Sequence, residues 1–116
     1  MNDTVEKKEG GVTIITKSNG DIHYFLDNLP HRIGKPAILY ADGGKEWWIH
    51  GYRHRDLLHA VELADGTRMW YNNGQLHRVK KPAVIFSDGR LEWWEEGKLL
   101  KSFNPNKIIT FRKRET

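Results

Sequence analysis

The feature that most limits how this chain can fold is an internal repeat with a period of 23 residues. An Asn-Gly or Asp-Gly pair recurs in every copy, and its glycines are Gly20, Gly43, Gly66 and Gly89, each 23 residues after the one before. Two adjacent aromatic positions follow each glycine, occupied by Tyr24–Phe25, Trp47–Trp48, Trp70–Tyr71 and Trp93–Trp94. A fixed period of this length is typical of repeat proteins, in which short units stack to bury a shared core.

The copies also share a turn, a His-Arg pair and a position that opens a strand. The turn column contains Asn28, Gly51, Gly74 and Gly97. The next column contains His31–Arg32, His54–Arg55 and His77–Arg78, with Leu100–Lys101 in the fourth copy. Pro36, His59, Pro82 and Pro105 occupy the strand-opening column. The copies therefore run over residues 13–35, 36–58, 59–81 and 82–104, and a half copy begins at Pro105.

Each copy has the pattern of a β-hairpin. Runs such as Pro36–Tyr40 and Pro82–Phe86 are rich in aliphatic and aromatic residues and are too short for a stable helix. They lead into Asp-Gly, the strongest short signal for a hairpin, because glycine adopts a positive φ at little cost. The sequence predicts an all-β fold, a single antiparallel meander of four hairpin repeats with about nine strands that lie about 4.8 Å apart.

The two ends of the chain lack the repeat pattern. Residues 1–12 are mostly polar and charged, and we expect a flexible N-terminal tail there, so that the repeat domain covers residues 13–111. Residues 105–111 include the apolar run Ile108–Phe111 and are predicted to form the closing strand. Residues 112–116 form a basic C-terminal tail, whose charges would discourage further pairing at the sheet edge.

Composition narrows the class of protein. The chain has 116 residues, no cysteine and a formal net charge of +4. The lack of cysteine excludes a disulfide framework and thiolate metal sites. No apolar run reaches the length of a membrane span or a signal-peptide core, so we expect a cytoplasmic protein. The mild positive charge permits an anionic partner but does not by itself indicate nucleic-acid binding.

The order of these signals resembles the MORN repeat. The run Trp48–His54 contains an aromatic residue, a glycine three positions later and a histidine three positions after that, and Asp65-Gly66 follows. The run His77–Ala83 is similar to the bacterial and viral variant of this repeat, including the group of YwqK-type antitoxins. The resemblance covers residues 13 to about 111. It implies stacked hairpins and a protein that binds proteins or lipids, or serves as a spacer, without a shared enzymatic activity.

The aromatic columns are the main candidates for partner binding. Adjacent residues of a strand point to opposite faces, so the two columns cannot share a face. Both could be structural, as cross-strand ladders that stabilise neighbouring copies. Alternatively, one column is a partly exposed stripe that anchors a partner. The candidate partner-binding residues are Trp47, Trp48, Trp70, Tyr71, Trp93 and Trp94, together with Arg55 and Arg78.

The His-Arg columns also allow more than one interpretation. A metal ion shared by His31, His54 and His77 is excluded, because equivalent strands lie about 9.6 Å apart whereas a zinc–nitrogen bond is about 2.1 Å. We expect each histidine to hydrogen-bond backbone within its own loop. The basic residues beside them form a row that is either a solvated rim or an edge for an anionic partner. This row consists of Arg32, Arg55, Arg78 and Lys101.

These features favour binding over catalysis. The sequence has no P-loop or nucleophile elbow, and glutamates such as Glu46 and Glu92 recur with the repeat, so we expect them at solvated strand positions. We predict a non-enzymatic protein-binding module without cofactor or metal. It would block or sequester another protein, such as a toxin or a host defence factor, through an aromatic sheet face and a His/Arg loop edge, as an antitoxin or immunity protein or as a viral or phage inhibitor. The alternatives are nucleic-acid or anionic-lipid binding through the Arg/Lys edge, and a structural homodimer.

Overall fold

The computed structural model describes residues 4–107, which form fifteen strands and no helix. The strands are β1 (Thr4–Glu9), β2 (Val12–Lys17), β3 (Ile22–Leu26), β4 (Leu29–Pro30), β5 (Ile38–Leu39), β6 (Lys45–Glu46), β7 (Trp48–Ile49), β8 (Tyr52–Arg53), β9 (Val61–Glu62), β10 (Arg68–Met69), β11 (Tyr71–Asn72), β12 (Gln75–Leu76), β13 (Val84–Ile85), β14 (Leu91–Glu95) and β15 (Lys98–Phe103). No helix in this part of the chain is long and apolar enough to cross a membrane.

Most strands belong to one antiparallel meander. An eleven-stranded sheet follows the order β1-β2-β3-β5-β6-β9-β10-β13-β14-β15, with β4 paired to β3. Strands β7–β8 and β11–β12 form two separate hairpins beside it. The predicted all-β fold of hairpin repeats is therefore confirmed. The fifteen strand segments outnumber the predicted nine because β1 precedes the repeats and short strands β4, β8 and β12 follow the turns of the first three copies. In the second and third copies, the strand after Asp-Gly is also interrupted at its first aromatic, so that β6 ends at Glu46 and β7 begins at Trp48.

The Asp-Gly pairs form the predicted hairpin turns. In the second copy, the backbone N–H of Gly43 donates to the carbonyl of Tyr40 over 2.9 Å. The Asp42 carboxylate accepts a second bond, of 2.8 Å, from the N–H of Gly44. The φ of Gly43 is +99°, in the region that L-residues with a side chain rarely adopt. The turns at Gly20, Gly66 and Gly89 repeat this geometry, so the sequence signal and the local structure agree in every copy.

The N-terminal segment differs from the flexible tail expected for residues 1–12. Strand β1 pairs with β2 along its whole length, from Thr4 opposite Lys17 to Glu9 opposite Val12. Gly10 and Gly11, at φ +56° and +83°, provide the tight turn between them, as a two-residue hairpin requires. Every residue of β1 is exposed, so the sequence shows no apolar alternation for this strand. The Gly10-Gly11 pair was the signal in the sequence that could have indicated a hairpin here. Residues 1–3 of the expected tail lie outside the described residues.

The fourth copy also differs from its predicted form. Strand β15 pairs with β14 along its full length, from Glu95 opposite Lys98 to Leu91 opposite Phe103, with one irregularity on the way. The chain therefore continues as a strand where the other copies form a loop, because Leu100 and its neighbours replace the His-Arg pair. Residues 104–107 form a turn instead of opening the predicted closing strand of 105–111. The rest of that strand, 108–111, and the basic tail 112–116 lie outside the described residues.

The described residues form an elongated molecule in which the eleven-stranded sheet is the main element. Its principal extents are 69 × 29 × 20 Å, and its radius of gyration is 18.3 Å, compared with roughly 13 Å for a compact domain of about this length. Ala37, Ala60 and Ala83 are completely buried and repeat along the sheet, with Val61 and Val84 beside them. Because no helix packs on the sheet in residues 4–107, large side chains of the strands and loops must shield this narrow core.

Candidate functional site

The first aromatic column is shielded by the basic residues that follow it. Trp47 and Trp70 are each only 8% exposed. The guanidinium carbon of Arg55 lies 3.9 Å from the ring centroid of Trp47, and that of Arg78 lies 3.8 Å from Trp70. The matching pairs are Arg32 over Tyr24 at 3.8 Å and Lys101 over Trp93 at 4.3 Å. The cation–π stack therefore recurs in all four copies, with roughly 0.5–2 kcal/mol from each stack. In the first three copies it ties a loop to the sheet, and in the fourth it lies on strand β15.

The arginines also close their own loops. Nη1 of Arg55 donates to the carbonyl of His59 over 3.2 Å, and Arg32 and Arg78 make the same bond to Pro36 and Pro82. The row is thus neither fully solvated nor free to rotate. Burial lowers the pKa of the Arg55 and Arg78 guanidinium groups. In residues 4–107 none of the three arginines has a carboxylate within ion-pair distance.

One histidine is inserted between the stacked tryptophans. The ring of His59 meets the rings of Trp47 and Trp70 edge-on, with centroid distances of 5.8 and 5.5 Å. Its Nε2 lies 2.8 Å from a carboxylate oxygen of Glu62, and this bond is the main cause of the lowered pKa of Glu62. Within residues 4–107, the indole N–H groups of both tryptophans are buried without a hydrogen-bond acceptor. Such groups cost about 1–3 kcal/mol each, so the column is stabilised by ring contacts and not by polar bonds.

The second aromatic column contacts a different set of residues from the first. Nε1 of Trp48 donates to Glu46 over 2.8 Å, and Nε1 of Trp94 donates to Glu92 over 2.9 Å. The guanidinium of Arg53 lies 5.0 Å from the ring of Trp48 and 5.4 Å from that of Tyr71. All three aromatic side chains are half-buried. His59 links Trp47 to Trp70 in the first column, and Arg53 lies near both Trp48 and Tyr71 in the second. A role of Trp48, Tyr71, Trp93 and Trp94 in binding a partner stays a prediction.

Glu46 differs from the solvated position expected for it. It is 6% exposed, and its carboxylate accepts hydrogen bonds from Trp48, from the Tyr40 hydroxyl at 3.0 Å and from Arg53 at 3.3 Å. Burial, together with the nearby Glu46 charge, raises the pKa of Tyr40 to about 12. A buried carboxylate with three donors is a structural anchor, since its oxygens are already occupied.

The repeated histidines bond backbone N–H groups of the following copy and not of their own loops, so that expectation was wrong. Nδ1 of His31 accepts the backbone N–H of His50 over 2.8 Å. His54 and His77 accept the N–H groups of Asn73 and Glu96 in the same way. Each donor residue has a positive φ, between +46° and +49°, in the turn of the following copy. A histidine thus supplies an acceptor to a turn N–H of the next copy.

The loops after these histidines form an exposed edge with apolar tips. We call the segments 32–35, 55–58 and 78–81 the loop edge. Ile33, Leu57 and Val79 are 79%, 93% and 59% exposed. Leu57 has a φ of +68°, where the equivalent residues are Gly34 and Lys80. Sequence reasoning predicted a binding edge at the His-Arg loops, with Arg55 and Arg78, but it missed these apolar tips. Aliphatic residues between His-Arg and the next strand, where loops are ordinarily polar, were a signal for them.

Two clefts lie between consecutive loops of this edge. The first has a volume of about 350 Å³ and is bounded by Arg32, Ile33 and Trp47 on one side. The second has a volume of about 310 Å³ and is bounded by Trp70, Arg78 and Val79. Residues 54–56 line both clefts. Within them, His54 Nε2 lies 2.8 Å from the Asp56 carboxylate, which extends into solvent. The sequence-predicted Arg55 and Arg78 therefore line clefts whose apolar rims were not predicted.

Neither a metal cluster nor a known relative adds to this geometry. In the described part of the chain, no group of three or more His, Cys, Asp or Glu side chains could hold a metal ion. Comparison of the chain with protein-family models, with curated proteins and with solved structures gave no match. Functional inference therefore depends on the arrangement of residues described above.

Proposed function

We propose that this chain is a protein-binding repeat module that acts by sequestering or blocking its partner, and that the loop edge is its main binding surface. The observation that carries the proposal is Leu57, which is 93% exposed in a left-handed backbone conformation. That conformation costs leucine roughly 1–2 kcal/mol, and the exposed side chain gains little from burial. Strain of this kind is concentrated at binding sites, where the partner supplies the missing contacts.

The scaffold beneath the loop edge supports the same function. Arg55 and Arg78 are held on tryptophan rings and bonded to their own loops, so the clefts exist before a partner arrives. A preorganised surface binds more tightly because less conformational entropy is lost on association. Binding residues carried by loops on a rigid sheet are a common arrangement for recognition.

The class of partner is the part of the proposal that depends on the MORN-like pattern. The resemblance of His77–Ala83 to bacterial and viral variants supports a small inhibitor: an antitoxin or immunity protein, or a phage protein that blocks a host defence factor. A chain without cysteine suits a reducing compartment such as the cytoplasm. The structural use of Glu46 and of the repeated histidines supports binding and not catalysis.

A photo-crosslinking experiment tests the binding surface. A photoreactive amino acid is placed at Val79 on the loop edge. The control position is Val5 in strand β1, a valine of similar exposure. In the native host, we expect Val79 to crosslink a defined protein and Val5 to give none. The substitution Val79→Asp should abolish capture, whereas Val5→Asp should leave it unchanged. Equal crosslinking from both positions would overturn the assignment of the loop edge.

An anionic ligand is the second candidate. Exposed Lys35, Lys80 and Lys81 stand on the loop edge beside the arginines, which favours a polyanion such as nucleic acid or an acidic lipid surface. Binding of this kind should weaken steeply with salt because counterions are released. Titration of the protein with oligonucleotides and with acidic vesicles over a range of salt concentrations tests this candidate. If neither ligand binds at low salt, the candidate is removed.

A structural homodimer is the third. Leu99, Leu100 and Phe103 on β15 are about half exposed, and β15 pairs only with β14 among the described strands. Light scattering at high concentration tests this, since a dimer through β15 should dissociate when Leu100 is replaced by lysine. A monomer at every concentration would exclude it.

A further inference from the structure

We infer that the loop edge binds an extended acidic segment of its partner, with a carboxylate at every third residue. This inference rests on the proposed protein-binding function and adds the chemistry and the backbone conformation of the bound segment. Two properties of the three arginines that line or border the two clefts support it, namely their positive charge and their spacing.

Among residues 4–107, these three arginines keep N–H donors without an acceptor and have no carboxylate within ion-pair distance. A guanidinium has five N–H donors. Arg32, Arg55 and Arg78 each use one of them in a hydrogen bond to a loop carbonyl. Glu62, the acid whose charge reaches Arg55, lies within ion-pair distance of His59 and not of Arg55. A half-buried guanidinium held flat on an aromatic ring is oriented to bind a carboxylate through two parallel hydrogen bonds.

The spacing of the arginines selects the conformation of the partner segment. Each copy contributes two strands to the sheet, so equivalent residues of successive copies are expected about 9.6 Å apart, which is twice the strand spacing. A polyproline II helix returns to the same face every three residues, after about 9.3 Å. A β-strand returns to one face after about 6.6 or 13 Å, and an α-helix does so after seven residues and about 10.5 Å. Of these conformations, polyproline II therefore has the repeat distance closest to the spacing of the three guanidinium groups.

The remaining groups of the loop edge suit the same ligand. Ile33 and Val79 follow Arg32 and Arg78 directly, so apolar residues between the carboxylates would meet apolar tips. Lys80 and Lys81 add positive charge at one end. Asp56 is an acid of this edge, and its carboxylate is paired with His54 at 2.8 Å. A polyanion without apolar groups would leave the tips exposed, so a peptide is favoured over a nucleic acid.

The test uses the intact protein and synthetic peptides of defined spacing. A fluorescein-labelled peptide of repeated Asp-Pro-Pro triplets, about twelve residues long, places carboxylates about 9.3 Å apart. The control peptide has the same composition with its aspartates in one block, and a second control replaces aspartate by asparagine. By fluorescence anisotropy, we expect the spaced peptide to bind about tenfold more tightly than the block peptide, since each charge-assisted hydrogen bond that is kept contributes several-fold. The asparagine peptide should not bind.

Two variants locate the effect without disturbing the sheet. Val79→Glu places a carboxylate beside Arg78 and should weaken binding of the spaced peptide about tenfold, whereas Val5→Glu on β1 makes the same change at an exposed site far along the chain. Arg78→Lys keeps the charge but loses the paired donors and should weaken binding less. Lysine fits this column, because Lys101 already stacks on Trp93. Thermal unfolding confirms that each variant is folded.

Each outcome decides between the ligand and the function. Equal binding of spaced and block peptides, or tighter binding of an oligonucleotide or acidic vesicle that Val79→Glu also abolishes, would overturn the acidic-segment inference. If no peptide binds while Val79 still crosslinks a protein, the inference fails and the proposed function stands. Loss of both signals removes both proposals.

Discussion

At the scale of single residues, the arginines show where sequence reasoning stops. The sequence was sufficient to recognise a row of basic residues that includes Arg32, Arg55 and Arg78. Whether this row is a solvated rim or an edge for an anionic partner depends on which groups each side chain contacts. The stack of Arg55 on Trp47 joins positions eight apart, across a turn whose geometry no periodicity reveals. For the same reason Glu46 could not be assigned to the interior, since its burial depends on Tyr40, Trp48 and Arg53 folding over it.

Leu57 provides a test of stored strain. Replacing Leu57 by glycine should raise the free energy of unfolding by roughly 1 kcal/mol, because its φ of +68° suits glycine and not leucine. The neighbouring Leu58 is also exposed but has no positive φ, so Leu58→Gly should lower stability by roughly 0.5–1 kcal/mol. Urea unfolding measures both. Destabilisation by both substitutions would mean that Leu57 is supported by packing and not strained.

His31 predicts a dependence of stability on pH. Burial, followed by the charge of His50, lowers its pKa in the folded protein. The unfolded chain therefore binds more protons, so this contribution is present above the unfolded pKa of about 6.5 and is lost as pH falls through that value to the folded pKa. Protonation also removes the Nδ1 acceptor for the His50 N–H.

Unfolding by urea between pH 8 and about pH 5 checks this expectation. The wild-type protein should lose stability over this range, and His31→Asn, which offers an amide oxygen and does not titrate, should lose less. The lowered pKa values of Asp65 and Asp88 act in a separate window, because their contributions are lost only as pH falls below about 4. An identical pH profile for the two proteins would exclude His31 as the cause.

At the scale of elements, each turn is fitted to the copy before it. Cβ atoms built at Gly51 and Gly74 would lie 3.2 Å from Leu29 Cδ2 and 3.0 Å from Tyr52 Cδ1. Both glycines also have a positive φ. Glycine in this column is therefore required twice, by the backbone conformation and by the side chain of the preceding copy. The histidine bonds of successive copies lie in the same turns, so this region couples each hairpin to its neighbour.

The close approach at Gly74 can be separated from backbone strain. Gly74→Ala should cost more than Gly66→Ala, because Gly66 has a similar φ of +94° but nothing within 4 Å of a Cβ. The left-handed conformation costs roughly 1–2 kcal/mol in both variants, and the contact with Tyr52 adds to it only at Gly74. The double variant Gly74→Ala with Tyr52→Ala should recover the difference. Equal losses at the two glycines would show that the contact with Tyr52 is unimportant.

At the scale of the whole molecule, the repeat determined what could be foreseen. The 23-residue period and the Asp-Gly turns were sufficient to predict an all-β meander, because every copy repeats the same local chemistry. The ends escaped prediction because β1 has no buried side chain and β15 replaces a loop by a strand. The apolar tips of the loop edge escaped prediction because Ile33, Leu57 and Val79 break the usual rule that loop residues are polar. Departures from the repeat thus occurred at the ends of the sheet and at the candidate site.

The repeat organisation makes a prediction about added length. A second copy of residues 59–81 inserted after residue 81 should lengthen the longest dimension of 69 Å by about 9.6 Å. It should also raise the free energy of unfolding, since each copy adds one interface with its neighbours.

The inserted copy contributes a further His-Arg loop, so a longer Asp-Pro-Pro peptide should bind more tightly to the lengthened protein than to the parent. Small-angle scattering, urea unfolding and fluorescence anisotropy measure the three effects, and an insert of the same composition in scrambled order is the control. If the molecule becomes longer and more stable but peptide affinity does not change, the copies stack as described and the loop edge is not a repeating carboxylate site.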